Sequence, residues 1–415
     1  MSAPQLRVFV DFDSDTAFEV NPLILGSATK GILGTNRLGS GTLPVEVTDL
    51  VHAVNIRRGR SRISQKFEPG VAEVMLYDQN GDWNPTNPLS AYYPNLVPLR
   101  QIIIYATYLG VDYFLFSGFI TNYDTGFKQG QEDLGMVTLR CVDGTKLLAG
   151  ATVSTVAGAP AGQLSGARVN AILDVIEWPV SLRNVDTGDT TLQADPGTSR
   201  TALAALQTVE DSEFGGLFID AEGAVRFYSR NNLIKNPATA SYAYADNGTA
   251  LTFQNAVVAY DDTTLINDVT VTRSGGTAQN AFDQASIDKF FIHSGVRSGI
   301  LVQTDTEALN QAKGILATRK DPEPRIDSLQ LNLYDDTNPN KPKSGVDIEL
   351  LDGISITKVM PGSTTFTQDS LVNGIHHNIT KSSWMTTLFT SEPLLSGFVL
   401  DSAISGILDT DVLSY

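Results

Sequence analysis

Acidic side chains are the residues of this chain with the most obvious capacity for catalysis. Carboxylates lie close together at Glu210/Asp211/Glu213, Asp261/Asp262 and Asp335/Asp336. Two carboxylates about 5–10 Å apart in a cleft could hydrolyse a glycosidic bond. The chain has 46 acidic residues, however, so close spacing alone has little weight, and the sequence contains no Gly-x-Ser-x-Gly, His-Glu-x-x-His or phosphate-loop motif. We therefore expect no catalytic residue, no cofactor and no enzymatic activity.

Three short segments have residue types that could bind a metal ion. His376 and His377 are adjacent in a strand-like run, so their side chains should point to opposite faces and cannot jointly chelate a metal. The acidic segment 78–84 has Gly at position 4, and its position 12 is a leucine, whereas a calcium loop requires Gly at position 6 and Glu at position 12. It predicts a tight turn. The acidic triplet at 11–15 lacks the same residues and predicts a strand that leaves into a turn. No metal site is expected.

The only basic cluster consists of Arg57, Arg58, Arg60 and Arg62. It could bind an anion or nucleic acid, or it could be a solvated loop or a subunit interface that meets acidic residues. The formal charge of the chain is −17, and electrostatic steering depends on the field of the whole protein. This favours the loop or interface, and the four arginines are candidate partner-docking residues.

Composition excludes several functional classes. With 29 basic against 46 acidic residues, the chain is unsuited to sequence-specific nucleic-acid binding or to stable association with an anionic membrane. No run of 18 apolar residues indicates a spanning helix, and the first residues do not have the pattern of a signal peptide. A single cysteine, Cys141, excludes an intramolecular disulfide. Hydrophobic residues make up 42% of the chain, enough for folded cores.

Most of the chain has the pattern of β structure. Strands are predicted over 73–77, 101–108, 113–122, 136–142, 269–272, 328–333, 354–359 and 385–390. Residues 215–230 predict a hairpin with a four-residue turn that ends at Gly223. Helices are predicted over 165–177, 199–211 and 304–319, the last with a capping box of Thr304 and Glu307. Because the helices interrupt the strands and do not alternate with them, the pattern indicates an α+β fold that is predominantly β.

These elements suggest five parts. They are an N-terminal arm (1–40), a first β domain (41–150), a connecting domain of helices and a hairpin (151–235), a second β domain with an inserted helix (236–393) and a C-terminal tail (394–415).

The two ends of the chain repeat each other. Residues 25–38 align without gaps on 400–413, with eight identities in fourteen positions. An apolar segment this short cannot bury its own surface, so both copies are predicted to use the same docking mode, on this chain or on a neighbour in an assembly. The alternative is that they are unrelated edge strands. The candidate docking residues in the repeats are Leu25, Ile32, Leu33, Leu38, Leu400, Ile407, Leu408 and Leu413.

Several motifs together resemble those of minor tail proteins of long-tailed phages (siphophages), especially the baseplate or tail-tip hub proteins of actinobacteriophages. The first group covers Asn80-Gly81, Trp83 with Pro85-Thr86-Asn87, Tyr93-Pro94-Asn95-Leu96 and Phe116-Ser117-Gly118-Phe119-Ile120. Further matches lie in 215–227, 265–273, 283–287 and 375–387. The resemblance covers roughly 45–390.

This resemblance implies two tail-tube-like β-barrels in each subunit of a homotrimer. Six barrels would then form a pseudo-sixfold ring that joins the tail tube to the tip and lines the DNA channel. The implied partners are the distal tail or tail tube protein, the tape measure protein and downstream tip or fibre proteins. The implied location is the virion tail tip, after synthesis in the host cytoplasm. Acidic residues facing the channel would repel DNA during ejection.

Two other functions remain alternatives at this point. A carbohydrate-binding receptor module would use exposed aromatics such as Trp83, Tyr92, Tyr93 and Trp384, although core packing is the favoured interpretation of these residues. A tail-tip cell-wall hydrolase would need a catalytic carboxylate pair.

Overall fold

The computed structural model describes residues 3–12, 44–60, 66–128, 131–235, 240–334, 338–362 and 364–392. Its strands are β1 (Gln5–Asp11), β2 (Val45–Glu46), β3 (Val51–Gly59), β4 (Glu68–Tyr77), β5 (Arg100–Tyr108), β6 (Val111–Lys128), β7 (Gln131–Val142), β8 (Thr152–Val153), β9 (Gln163–Leu164), β10 (Arg183–Val185), β11 (Thr191–Leu192), β12 (Arg200–Thr201), β13 (Gly216–Ile219), β14 (Val225–Tyr228), β15 (Tyr242–Ala245), β16 (Asn255–Ala259), β17 (Asp268–Arg273), β18 (Gln279–Phe282), β19 (Ser294–Ile300), β20 (Arg325–Asn332), β21 (Gly353–Val359), β22 (Thr365–Thr380) and β23 (Ser383–Ser391). The α-helices are α1 (Thr145–Gly150), α2 (Ser165–Val175), α3 (Ala202–Glu213), α4 (Arg230–Lys235), α5 (Gln284–Phe290), α6 (Asp305–Arg319) and α7 (Asn340–Asp347). None of these helices is long and apolar enough to cross a membrane.

A large, mostly antiparallel sheet of 13 strands dominates the molecule. Its main path runs β16-β20-β23-β22-β3-β4-β7-β6-β5-β1-β2, and β21 and β15 branch from β22. The alternation predicted for β7 is confirmed, because Val137, Leu139 and Cys141 are buried and the residues between them are not. The predominantly β fold is therefore confirmed. In the part of the chain that the structure describes, the strands of the two β regions pair in this one open sheet, so the two β-barrels that the resemblance implies are not confirmed.

The sheet contains two copies of one six-strand β module. The first module consists of β1, β3, β4, β5, β6 and β7, and the second consists of β15, β16, β20, β21, β22 and β23. Matched in chain order, both modules pair their first strand with the fourth, the fourth with the fifth, the fifth with the sixth, the sixth with the third and the third with the second. One difference is that β1 is antiparallel to β5, whereas β15 is parallel to β21.

The two modules also agree in register. In both, a long fifth strand pairs with the fourth strand through its first half and with the sixth through its second half. The ladder with the sixth strand skips one residue at the same point, Thr121 in β6 and Asn373 in β22, and from there the registers agree as far as Gly126, after which the β6 ladder has a second irregularity that the β22 ladder lacks. Such bulges are specific features of a strand pair. Their coincidence makes Asn122 of β6 the equivalent of Gly374 of β22.

Aligned strands of the two modules share residues as well. Glu68-Pro69 in β4 matches Glu323-Pro324 just before β20, and Met136-x-Thr138-Leu139 in β7 matches Met385-x-Thr387-Leu388 in β23. Leu139 and Leu388 are both fully buried. The modules therefore place equivalent side chains in equivalent core positions.

The connecting domain packs its own core beneath this sheet. Helices α2 and α3 bury Val169, Ile172, Leu206 and Val209 against the β13–β14 hairpin. All three predicted helices and the predicted hairpin are confirmed, and the Thr304–Glu307 capping box begins α6 as expected.

Two segments lie elsewhere than predicted. Residues 5–11 fall within the predicted arm, yet β1 is a full strand of the sheet, because Val8 and Val10 alternate into the core. The predicted strand at 269–272 is confirmed as β17. It does not join the main sheet, however, and lies in a separate three-stranded sheet with β18 and β19, covered by α6. The insertion in the second β region is thus a small α/β unit and not a single helix.

Candidate assembly interface

The two β modules meet where β3 pairs with β22. This antiparallel junction runs from the pair Ala53–Thr380 to the pair Gly59–Gly374. Strand β21 pairs with the first half of β22, up to Leu371, and β3 pairs with the second half of β22, from Gly374 onward. The junction therefore makes the two modules one continuous sheet.

Arg58 connects this junction to the connecting domain. Its Nη2 atom donates to Glu349 Oε1 at 2.6 Å and to the backbone oxygen of Ile219 at 3.4 Å. The second carboxylate oxygen of Glu349 accepts from the Ala221 amide at 2.9 Å. The Arg58 side chain is 5% exposed, so the ion pair is shielded from solvent on the arginine side. This one ion pair therefore connects three parts of the chain: β3, the β13–β14 turn and the segment between α7 and β21.

The turn that receives Arg58 is shaped by its own sequence. Asp220 Oδ1 accepts from the amides of Glu222 and Ala224, and Gly223 adopts φ +91°, a conformation that favours glycine. This is the predicted four-residue turn. It fixes the backbone oxygen and amide that contact Arg58 and Glu349.

The basic cluster is divided between the interior and the surface. Arg60 is buried, donates to Asn373 Oδ1 at 3.1 Å and lies 4.3 Å from the centre of the Phe67 ring, and burial lowers its pKa to about 10. Both Arg58 and Arg60 are buried, so neither belongs to a solvated loop, and the docking role predicted for them stays a prediction. Arg57 is exposed on β3, and its docking role stays a prediction. Arg62 lies outside the described residues.

Buried carboxylates surround the same region. Burial raises the pKa of Asp143, Asp220 and Asp352 to about 6, against the hydrogen bonds that each accepts from backbone amides. Nearby Arg58 partly offsets this effect at Asp143 and Asp220. Glu210 is also buried, with a pKa raised to about 7. Burial therefore disfavours the charged form of all four carboxyl groups.

The histidine pair is structural. His377 is buried and its Nδ1 atom lies 2.9 Å from Thr386 Oγ1, while burial, with a contribution from Arg58, lowers its pKa to about 3. His376 points to the other face, where its Nε2 atom lies 3.0 Å from Asn55 Oδ1. The prediction of opposite faces is confirmed, and no metal-binding group of three or more ligands occurs among the described residues.

The carboxylate pairs considered for catalysis are used in local structure. Glu213 accepts hydrogen bonds from Ser165, Asp189, Thr190 and Arg230. Asp261 accepts two hydrogen bonds from Arg325. Asp335 and Asp336 lie outside the described residues.

The predicted turn after β4 is confirmed, and it positions aromatic residues in the core. Asp78 accepts hydrogen bonds from the amides of Asp82 and Trp83, at 2.7 and 3.3 Å. Trp83 is fully buried and Tyr92 stacks on Phe12 with 4.3 Å between ring centres. Trp384 is also buried. Core packing is thus confirmed for both tryptophans, which leaves Tyr93, 49% exposed, as the candidate for sugar stacking.

The apolar residues of the terminal repeats all fall outside the described residues. They are Leu25, Ile32, Leu33, Leu38, Leu400, Ile407, Leu408 and Leu413. Their docking role stays a prediction.

Sequence reasoning did not find Glu349 or Asn373. Glu349 lies between α7 and β21 and Asn373 occupies the bulge of β22. Their partners, Arg58 and Arg60, are about 300 residues earlier in the chain. The only signal was the position of Arg58 in an alternating strand, where it follows Val54 and Ile56 on the buried face.

The comparison with known proteins gives a clear result at the level of fold. No protein-family profile and no curated protein sequence matches the chain. Among solved structures, it is similar to a tail protein from Neisseria meningitidis, with a TM-score of 0.57, 10% identity and coverage of 94% of this chain and 97% of the other. It is also similar to the 43 kDa tail protein of prophage MuSo2 from Shewanella oneidensis, with a TM-score of 0.52, 12% identity and coverage of 86% and 97%.

Both similarities extend over almost the whole length of the matched proteins, 97% in each case. At 10–12% identity they are similarities of fold. The chain therefore shares its fold with these two tail proteins.

Proposed function

We propose that this chain is a structural virion protein of a phage tail, the hub at the tail tip of a long-tailed phage. In this proposal three copies form a ring that joins the tail tube to the tip proteins and surrounds the DNA channel. The observation that carries it is the internal repeat, because two modules with the same strand order, register and bulge would give three chains six similar units. A ring of that kind matches a sixfold tube on one side and a threefold tip on the other.

The net charge agrees with a role in DNA passage. Duplex DNA has about one negative charge per 1.7 Å of its axis. A ring of three chains, each with a formal charge of −17, would repel the duplex wherever its acidic residues line the channel. The ring would guide DNA without binding it.

A receptor module for carbohydrate is less well supported. Trp83 and Trp384 would offer the largest stacking surfaces, and both are buried. A hydrolase is also less well supported, because Glu213 and Asp261 are already engaged in structural hydrogen bonds.

The proposal is tested by the mass and shape of the purified full-length protein and by its location. Light scattering should give three chain masses, electron microscopy should show a ring with six similar units, and an antibody should label the tip of tail particles. A solitary chain that is absent from tail particles would overturn the proposal. Micromolar binding on a glycan array would favour the receptor module.

A further inference from the structure

The strand edges that correspond to the junction in the opposite modules have no partner strand among the described residues. The junction joins the second strand of the first module, β3, to the second half of the fifth strand of the second module, β22. The corresponding strands of the opposite modules are β16 and β6. Within the described parts of the chain, β16 has a partner strand only on the β20 side, and β6 has none beyond Ile120 on the β5 side.

Both unfilled edges are accessible. Val257 in β16 is 47% exposed, and Tyr260, the first residue after this strand, is 67% exposed. In the second half of β6, Asn122, Thr125 and Gly126 are exposed. Open strand edges present unpaired amide and carbonyl groups, so a protein either protects them or pairs them with another chain.

We infer that β16 of one copy pairs antiparallel with residues 122–128 of β6 in the next copy, and so repeats the β3–β22 junction between chains. This inference rests on the proposed ring and specifies the surface that closes it. The occupant is a second copy of this chain, because the same module-to-module contact already exists inside the chain, with the same strand positions in each module.

The internal repeat also gives the register. Asn55 of β3 faces Asn378 of β22, and the equivalents of these residues are Val257 of β16 and Gly126 of β6. Val257 of one copy should therefore face Gly126 of the next. Gly126 has space for a side chain, since an added Cβ would meet only the backbone oxygen of Met136, at 3.8 Å.

The contact joins two different surfaces, so each chain offers one edge and receives the other. A head-to-tail interface of this kind closes into a ring when the rotation between copies allows it. Modules would then alternate around the ring, with one junction inside each chain and one between chains.

Disulfide cross-linking tests this register. The double variant Gly126→Cys/Val257→Cys should form disulfides between chains on mild oxidation, giving covalent dimers and trimers on non-reducing gels. Directly opposed residues of an antiparallel pair have Cβ atoms about 4.5–5.5 Å apart, close to disulfide geometry. The matched control is Asn55→Cys/Asn378→Cys, which should cross-link within one chain. Native Cys141 is buried, and burial raises the pKa of its thiol, so it should stay unreactive.

A charge variant tests the same edge without oxidation. Val257→Lys should reduce the oligomer to a single chain mass, because a lysine on an exposed edge strand opposes pairing. The control is Val296→Lys, which alters an exposed valine of the separate three-stranded sheet and should leave the oligomer intact. Both variants are measured by light scattering, together with circular dichroism to confirm folding.

The outcomes separate this inference from the proposed function. Interchain cross-links together with loss of the oligomer in Val257→Lys support the inference. An oligomer that neither cross-links nor responds to Val257→Lys overturns this inference but not the proposed ring. In that case another segment would cover the edges of β16 and β6. A chain that is monomeric and fails to cross-link, both when purified and in tail particles, overturns both.

Discussion

Arg58 and Glu349 form an ion pair of 2.6 Å that connects the first β module to the segment entering the second. The arginine side chain is 5% exposed and the glutamate side chain 23%. The same carboxylate accepts from the amides of Ala221 and Leu350. The pair therefore fixes the connecting domain at the place where the two modules become one sheet.

Removal of the Glu349 carboxylate should destabilise the protein strongly. Glu349→Ala leaves the Arg58 guanidinium buried beside an apolar side chain and leaves the Ala221 amide without this acceptor. Loss of one partner of a buried pair typically costs about 3–5 kcal/mol of unfolding free energy, and because Glu349 is partly exposed we expect a loss of about 3 kcal/mol. Chemical denaturation followed by circular dichroism measures the change.

The control for this prediction is the exposed pair Arg7–Glu46, whose side chains are 37% and 40% exposed. Glu46→Ala should cost only about 0–1 kcal/mol, because solvent screens surface pairs. Equal losses in the two variants would contradict the role assigned to Arg58 and Glu349.

The junction should tolerate no side chain at Gly59. This residue adopts φ +90°, and an added Cβ would lie 2.2 Å from the backbone oxygen of Asn373 and 2.8 Å from Gly374 Cα, both on β22. Gly59→Ala should therefore separate β3 from β22 at this end and accelerate cleavage by protease near the junction. Limited proteolysis followed by mass spectrometry locates the cleavage sites.

Gly110→Ala provides the matched comparison. Gly110 has a similar φ of +80°, but an added Cβ would meet nothing within 4 Å. Only the backbone strain should remain, about 1 kcal/mol. If Gly59→Ala were as mild as Gly110→Ala, the close contact between β3 and β22 would not be essential.

Helix α6 should depend on its N-terminal cap. Thr304 Oγ1 accepts from the Glu307 amide at 3.2 Å, and Glu307 Oε2 accepts from the Thr304 amide at 2.8 Å. Thr304→Ala should lower the stability of the small α/β unit by about 1 kcal/mol, and Thr304→Ser should retain most of it. Hydrogen exchange of the α6 amides is the measurement, and equal protection in both variants would argue against the cap.

Local features of the fold could be predicted from the sequence because their signals lie within a few residues. The alternation of Val137, Leu139 and Cys141 predicts β7, and Thr304 with Glu307 predicts the start of α6. Strand β1 had the same signal in Val8 and Val10, but its place next to a glycine-rich segment favoured an arm.

The features that organise the assembly depend on distant partners. The β3–β22 pairing joins residues more than 300 positions apart, and no local period encodes such a register. The internal repeat was also hidden, because equivalent strands share only short matches such as Glu68-Pro69 and Glu323-Pro324. Spatial pairing reveals it because strand order and bulge position persist after side chains have diverged.

Removal of the Asp220 charge should stabilise the protein more at neutral pH than at acidic pH. Burial raises the pKa of Asp220 to about 6 in the folded protein, above the unfolded value near 3.8. The folded state therefore binds more protons than the unfolded state between these values, and the contribution of Asp220 to stability falls as the pH rises through this range. Asn at this position would keep the Oδ1 atom that accepts from Glu222 and Ala224 and would lack the buried charge.

Relative to the unaltered protein, Asp220→Asn should accordingly gain about 1 kcal/mol of unfolding free energy between pH 5 and pH 7. Asp261→Asn should change the unfolding free energy in the opposite direction. Hydrogen bonds from Thr263 and Arg325 lower the pKa of Asp261 to about 2, so its contribution is present above pH 4 and is lost in the acidic range. Asp261→Asn should therefore be destabilising at pH 7, with a deficit that shrinks toward pH 2. Unfolding free energies across this pH range measure both differences, and a pH-independent effect at Asp220 would mean that its carboxylate is not held in a buried, desolvated site.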